Sequence, residues 1–267
     1  MTSMIDEPFQ QRIAGAFETG APLALFLDFD GTLVEIAPVP SSVKVDRRLS
    51  PALDRLRGGL GGALALVSGR PIGFLDDMFA PHRFDAAGLH GSQIRLGETT
   101  IDQAQAPAQL QEATRELVRF ANSQVGIIVE DKGLSVALHW RMAPQLEDQA
   151  LALARGLALQ MGPSVRLQEG KAVAELVPAS VSKGLAIGWM MERAPFSGRR
   201  PVFIGDDVTD EAGFEEVNRL GGLSIRIGEG ESCAQRRLAS PTELRSLLLG
   251  AAERGSLDLA DFTPRHN

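Results

Sequence analysis

The 267-residue sequence has one cysteine, Cys233, so no internal disulfide framework is available to it. It has four histidines, and neither they nor the cysteine fall at zinc-ligand spacing. There is no apolar run long enough to cross a membrane, no internal repeat and no low-complexity segment. Residues Met1 to Pro8 lack both a basic n-region and an apolar h-region, so no secretory signal is expected and a cytoplasmic protein is. A net charge of −7 speaks against nucleic acid or an anionic membrane as partner. An anionic substrate is still admissible, because a local basic cluster or a bound cation can reverse the sign within a cleft. With 44% apolar and 23% charged residues the composition is that of an ordinary globular protein with a sizeable core.

What the sequence does have is a set of apolar strands that end abruptly in polar residues. Leu25-Phe26-Leu27-Asp28-Phe29-Asp30-Gly31-Thr32 ends in two carboxylates two residues apart, which share one face of a strand. An unpaired carboxylate beside a core is costly, so the pair implies a bound ion or substrate. A helix follows, with Ser50 as expected N-cap, Pro51 at its first position and an apolar face through Leu53, Leu56 and Leu60. Ala63 to Val67 is a second strand, ending in Ser68-Gly69-Arg70 and followed by a helix after Pro71, and a third short strand leads to Gly88-Leu89-His90-Gly91. Pro201 to Ile204 is a further strand ending in Gly205-Asp206-Asp207-Val208-Thr209-Asp210, and Leu223 to Ile227 another. Continuous apolar strands alternating with helices predict an α/β fold with a doubly wound, mainly parallel sheet.

The texture changes between residues 105 and 177. A helix with Leu110, Ala113, Leu117 and Ala121 on one face precedes a hairpin turning at Asp131-Lys132-Gly133. A second helix, with Leu146, Ala150, Leu153, Leu157 and Met161 at helical spacing, precedes a hairpin turning at Glu169-Gly170-Lys171. This reads as an inserted α+β module, giving a core of residues 1–104 and 178–267 and a second domain of 105–177. A further short helix is expected over residues 9–19.

In an open parallel sheet ligands bind beyond the carboxyl ends of the strands. Asp28, Asp30, Asp206, Asp207 and Asp210 gather there, and oxygen ligands without histidine or cysteine suit Mg²⁺. Ser68 and Lys183 add a hydroxyl and an ammonium. The combination suits a phosphoryl group: cation and lysine neutralise its oxygens, the hydroxyl holds one, and a carboxylate attacks phosphorus.

Asp28-Phe29-Asp30-Gly31-Thr32-Leu33, Ser68, Lys183 and Gly205 to Asp210 resemble, in order, the four motifs of the haloacid dehalogenase superfamily. Val67 to Arg70, Gly88 to Gly91, Glu130-Asp131-Lys132, Leu138 to Arg141 and Gly170 to Glu175 narrow the resemblance to its trehalose-6-phosphate phosphatase branch. It extends from about residue 23 to 228. The resemblance implies a Mg²⁺-dependent phosphatase that releases trehalose from trehalose 6-phosphate through an aspartyl-phosphate. Asp28 would be the nucleophile and Asp30 the general acid and then base, with Lys183 completing the catalytic set. Mg²⁺ would be held by Asp28, Asp206, Asp210 and the Asp30 carbonyl, with Asp207 or Asp210 assisting. The insert would be a cap whose Glu130, Lys132, Arg141, Lys171 and Glu175 contact the sugar, while Ser68, Gly69 and Arg70 bind on the phosphate side. Arg70 pairs either with phosphate or with the site carboxylates, and His90 and His139 are either ligand contacts or packing residues. Where the family pattern often carries an acidic residue after the His-Gly turn, this sequence has Gln93. Within the same chemistry the rival substrate is another glycosyl phosphate, such as mannosyl-3-phosphoglycerate. The rival of another class is a non-catalytic sugar-phosphate sensor, and a synthase partner finds no support in any residue.

Overall fold

The computed structural model describes residues 21–37, 42–102 and 105–262, and the helix expected over 9–19 lies outside them. The first part of the chain runs β1 (Leu23–Leu27), α1 (Leu49–Gly59), β2 (Leu64–Val67), α2 (Ile72–Phe79), β3 (Asp85–Gly88), β4 (Gln93–Leu96) and β5 (Thr99–Asp102). Next come α3 (Leu110–Asn122), β6 (Ile128–Asp131), β7 (Val136–His139), α4 (Glu147–Met161), β8 (Val165–Gly170) and β9 (Val173–Pro178). The last part is α5 (Lys183–Met191), β10 (Arg200–Gly205), α6 (Glu211–Arg219), β11 (Leu223–Ile227), β12 (Arg236–Leu238) and α7 (Pro241–Arg254).

The strands form two sheets. The large one has the order β12-β11-β10-β1-β2-β3-β4-β5, parallel from β12 to β3 and antiparallel at β4 and β5. Alternate residues of β1 supply both of its faces. Leu23, Leu25 and Leu27 join a core with α1, α2 and α7, and Ala24 and Phe26 join one with α5 and α6. Burial on both faces is why β1 and β2 read as continuous apolar runs.

Three local readings are corrected. Ser50 does not cap α1: it lies inside the first turn, and its buried hydroxyl donates to the Phe79 carbonyl at 2.5 Å. A turn that closes from Leu49 N–H to the Asp46 carbonyl starts the helix earlier, which leaves Ser50 free to tie α1 to the end of α2. Strands β4 and β5 were not anticipated. They are short and carry polar residues such as Gln93, Arg95, Thr99 and Thr100, so they lack the apolar signature of the central strands. The second hairpin turns one residue later than expected, on Lys171 and Ala172, and so lifts Lys171 to its apex.

The small sheet is antiparallel, in the order β6-β7-β9-β8. One face, with Val136, Leu138, Ala174 and Leu176, packs on α3 and α4. Register places Glu130, Ala137, Glu175 and Gln168 in one row across the other face, because each is the paired neighbour of the next. A polar row on a strand face opposite a packed core requires something polar to cover it.

Phe26 is fully buried in the central strand and stacks on Phe196 with ring centroids 5.1 Å apart. Replacing it with alanine removes an aromatic side chain from a site that collapses poorly, and Phe26→Ala should cost about 3–5 kcal/mol. Urea denaturation measures this; a loss below about 1 kcal/mol would show that the central strand does not carry the core.

Candidate active site

β1 and β10 are neighbours at the middle of the large sheet, where the chain leaves β1 toward β2 on one side while β10 lies on the other. Such a switch point opens a crevice at the strands' carboxyl ends. Asp28 emerges from β1 there, its N–H held by the Ile204 carbonyl at 2.9 Å, and Asp206 emerges from β10. Gly31 makes the tight turn with φ +79°; a Cβ there would lie 2.2 Å from Asp206 Oδ2, so the close approach admits only glycine.

Lys183 opens α5 and is buried among the carboxylates. Its Nζ donates to Asp28 Oδ1 at 2.7 Å and to Asp210 Oδ1 at 2.6 Å. Thr32 donates to the other Asp28 oxygen at 3.0 Å. Asp210 Oδ2 accepts the backbone N–H groups of Asp206 and Asp207, both at 3.0 Å, which folds the turn after β10 around its carboxylate. Burial raises Asp28 well above its ordinary value, Lys183 opposes that shift, and the charges of Asp210 and Asp206 add to it. Asp206 is pushed up to about 6 by burial, against the pull of Lys171. Burial works against the charge on Lys183, but Asp210 and Asp28 outweigh it and hold the ammonium well above the usual lysine range.

Asp30 turns its side chain away from this cluster. Arg70 grips it as a fork, Nε to Oδ2 at 2.7 Å and Nη2 to Oδ1 at 2.9 Å, and lies over the Phe74 ring at 4.6 Å. Arg70 N–H also donates to Ser68 Oγ at 3.1 Å.

The small sheet presents its polar row to these strand ends. Glu175 is buried and accepts from Lys132 Nζ at 2.8 Å, Ser135 Oγ at 2.5 Å and His90 Nε2 at 3.1 Å. Burial alone would raise its carboxyl, but Lys132 and His90 hold it far below the usual carboxylate range. Glu130 accepts from His139 Nε2 at 3.0 Å, and Arg70 Nη1 lies 3.8 Å from it. Lys171 reaches down to Asp206 Oδ2 at 2.6 Å, and Arg141 donates to the carbonyls of Ala37 and Lys171 at 2.8 and 2.7 Å.

One cleft between the two sheets is thus lined by Asp28, Asp30, Ser68, Gly69, Arg70, Lys132, Arg141, Lys171, Glu175, Lys183 and Asp206. Glu130 stands behind Arg70 and His139, and Asp210 lies beneath Lys183. Gln93 is away from it, at the start of β4, accepting from Ile72 N–H at 3.4 Å. Thr32 belongs to the motif that begins at Asp28, whereas Ser135 and Gln168 carry no such mark in the sequence. Their signal was register: Gln168 pairs with Glu175, and Ser135 sits two residues before Ala137 on the same face.

Ligand oxygens of Asp28, Asp206 and Asp210 lie within 4.8 Å of one another, all three residues buried. Three buried carboxylates against the single Lys183 leave excess negative charge, and the Lys171 ammonium on Asp206 shows that the cluster takes a further cation. An all-oxygen set of this kind fits a hard divalent metal.

The trehalose-phosphatase family model matches residues 26–246. The chain is 46% identical over 205 residues to the probable trehalose-phosphate phosphatase of Sinorhizobium fredii, covering 77% of each chain. To the trehalose-6-phosphate phosphatase of Escherichia coli K12 it is 44% identical over 233 residues, 86% of this chain and 87% of that one. Among solved structures, the C-terminal domain of the C. albicans trehalose-6-phosphate phosphatase superposes with a TM-score of 0.79 at 20% identity, over 96% of this chain and 99% of that one. The two structures share their fold.

Because Glu175 is depressed from the ordinary 4.5, the stability its charge confers is present above pH about 4.5 and is lost as pH falls toward its folded value. Glu175→Gln lacks that charge at every pH. Its deficit in Tm relative to wild type should therefore narrow between pH 7 and about pH 3, as followed by calorimetry. A constant deficit over that range would show that the Lys132–Glu175–His90 contacts do not depend on ionised Glu175.

Proposed function

The chain belongs to the trehalose-phosphatase family and is a phosphatase, and we propose that it hydrolyses trehalose 6-phosphate to trehalose and phosphate. The observation that carries this reading is the cleft itself: a buried carboxylate–lysine cluster on one wall and a row of hydrogen-bonding side chains on the other. A disaccharide offers many hydroxyls and little apolar surface, which is what such a row recognises.

In this account Asp28 Oδ attacks phosphorus as the phosphorus–oxygen bond to the sugar breaks, and Asp30 gives its proton to the departing sugar oxygen. Asp30 then takes a proton from the water that attacks the aspartyl-phosphate, releasing inorganic phosphate and restoring Asp28. Arg70 aims the Asp30 carboxyl, with Ser68 and Gly69 beside it on the phosphate side. Lys183 lies between Asp28 and Asp210 and offers positive charge to the phosphoryl oxygens. Asp28, Asp206, Asp210 and the Asp30 carbonyl would hold Mg²⁺. When bound, the ion supplies charge neutralisation for the phosphoryl group and favours ionised Asp28. Asp207, whose side chain accepts from Val208 N–H, stands next to this set.

Residues 105–177 are the cap in this proposal, with Glu130, Lys132, Arg141, Lys171 and Glu175 toward the sugar. Residues 1–104 and 178–267 are the core, and the enzyme works in the cytoplasm, where its single cysteine needs no partner. The relatives do not favour a glycerate-bearing substrate or a non-catalytic sensor.

Purified protein with Mg²⁺ should release phosphate from trehalose 6-phosphate with kcat/KM at least about 100-fold above that for glucose 6-phosphate, and chelation should abolish turnover until Mg²⁺ is restored. Equal values for the two esters would sink the substrate assignment. Asp28→Asn should lose at least about 1,000-fold in kcat, and Asp30→Asn about 100-fold or more. Full turnover by either variant would remove that residue from the mechanism.

A further inference from the structure

His90 is spent on neither the phosphoryl chemistry nor the apolar core, yet the chain goes to unusual lengths to place it. Leu89, His90 and Gly91 have φ values of 49°, 57° and 100°, so two non-glycine residues in succession adopt the left-handed region. Such a backbone is strained for a residue with a side chain and persists only where the surroundings demand it. The ring is buried at 5% exposure and lies on Gly69, where a Cβ would come within 2.5 Å of Nε2.

Among the described residues, the side chains that hydrogen-bond the imidazole are Glu175 and Gln168 of the small sheet. Nε2 is 3.1 Å from Glu175 Oε2, and the Gln168 amide nitrogen is 2.9 Å from Nδ1 and 3.0 Å from Nε2. The orientation of that amide is fixed by Arg166, which donates to Gln168 Oε1 at 2.8 Å. An ionised carboxylate only accepts, so the proton belongs on Nε2; an amide N–H₂ only donates, so Nδ1 keeps its lone pair. A doubly protonated ring would leave the Gln168 amide with no acceptor on Nδ1 and add a charge close to the Lys132 ammonium. Burial likewise disfavours the charged ring.

We propose that His90, as the neutral Nε2–H imidazole, is a positioning residue of the large-sheet domain that orients Glu175 for the sugar. The inference rests on the proposed role of Glu175 in holding trehalose 6-phosphate. Of the three donors on Glu175, Lys132 and Ser135 travel with the small sheet, whereas His90 comes from the opposite wall. Lys132 makes a matching contact across the same seam, to the Gly69 carbonyl at 3.1 Å. The His90–Glu175 bond therefore exists only when the two walls meet, and it is the direct donation from the large-sheet side to a carboxylate that Lys132 and Ser135 hold from its own sheet. Losing it weakens sugar binding in ground and transition states alike, which appears in KM rather than kcat.

Wild-type turnover of trehalose 6-phosphate is measured first, since its failure would refute the substrate reading and not the geometry. His90→Ala and His90→Asn should then raise KM at least tenfold with kcat within about threefold; the asparagine tolerates the left-handed backbone but is too short to reach Glu175. His90→Gln, which carries an N–H near the Nε2 position, should recover most of that loss. An unchanged KM in His90→Asn, or a fall in kcat shared by all three variants, would overturn the proposal. Independently of turnover and of any variant's folding, long-range ¹H–¹⁵N correlation on the wild-type protein should show His90 neutral with its proton on Nε2. A Nδ1–H tautomer or an imidazolium at neutral pH would overturn it too.

Discussion

The structure depends on one ammonium. Lys183 sits where three buried carboxylates converge, and without its charge Asp28 and Asp210 would stand uncompensated in a dry interior. Removing one partner of such a cluster typically costs several kcal/mol, because the desolvation already incurred is no longer offset. The lysine is held in turn by helix α5, which Ser182 caps through Leu185 N–H, and by the turn that wraps two backbone N–H groups around Asp210. One positive charge does not balance three negative ones. The residual imbalance draws in cations: Lys171 from the small sheet in this arrangement, and a hard metal ion by the chemistry of the donor set.

That imbalance organises the division of labour between the two sheets. The large sheet brings charge to a point at the ends of β1 and β10, neighbouring parallel strands paired residue by residue. The small sheet spreads hydrogen-bonding groups along a row set by strand register, wide enough for an extended polar ligand. A phosphoester of a sugar needs both: concentrated positive charge where the phosphoryl group moves, and distributed hydrogen bonding where hydroxyls must be matched. Among the described residues the seam between the sheets is crossed by polar contacts, including those of Lys132, Lys171, Arg141 and His90, and the apolar clusters of the two units are separate. Contacts of that kind can be exchanged for ligand or water at modest cost, which suits walls that must separate to admit a substrate.

Much of this was legible in the sequence because the central strands are buried on both faces. Leu25 to Leu27 and Leu64 to Val67 have one reading, and polar residues at their ends stand out against it. The same logic failed at β4 and the edge strand β5, where Arg95 and Thr100 break any apolar run, and at Ser50, whose cap-like position is overridden by a tertiary hydrogen bond to Phe79. Residue types told which side chains could serve a phosphoryl site. They did not tell which way each points. Asp30 turns to Arg70 while Asp28 turns to Lys183, and the two differ only in strand geometry and neighbours distant in sequence. The sequence marks His90 as a ligand contact or a packing residue without deciding which, because its contact with Glu175 and Gln168 joins two units whose relative placement no local pattern encodes.

In the proposed reaction the Lys183-bound carboxylate of Asp28, and no other, forms a covalent bond to phosphorus. Acid quenching during turnover of trehalose 6-phosphate, followed by peptide mapping, tests it most directly. An acyl-phosphate confined to the peptide bearing Asp28 and absent from Asp28→Asn is the expected result. Phosphate on a peptide bearing any other carboxylate, or turnover with no phosphopeptide at any quench time, would contradict it.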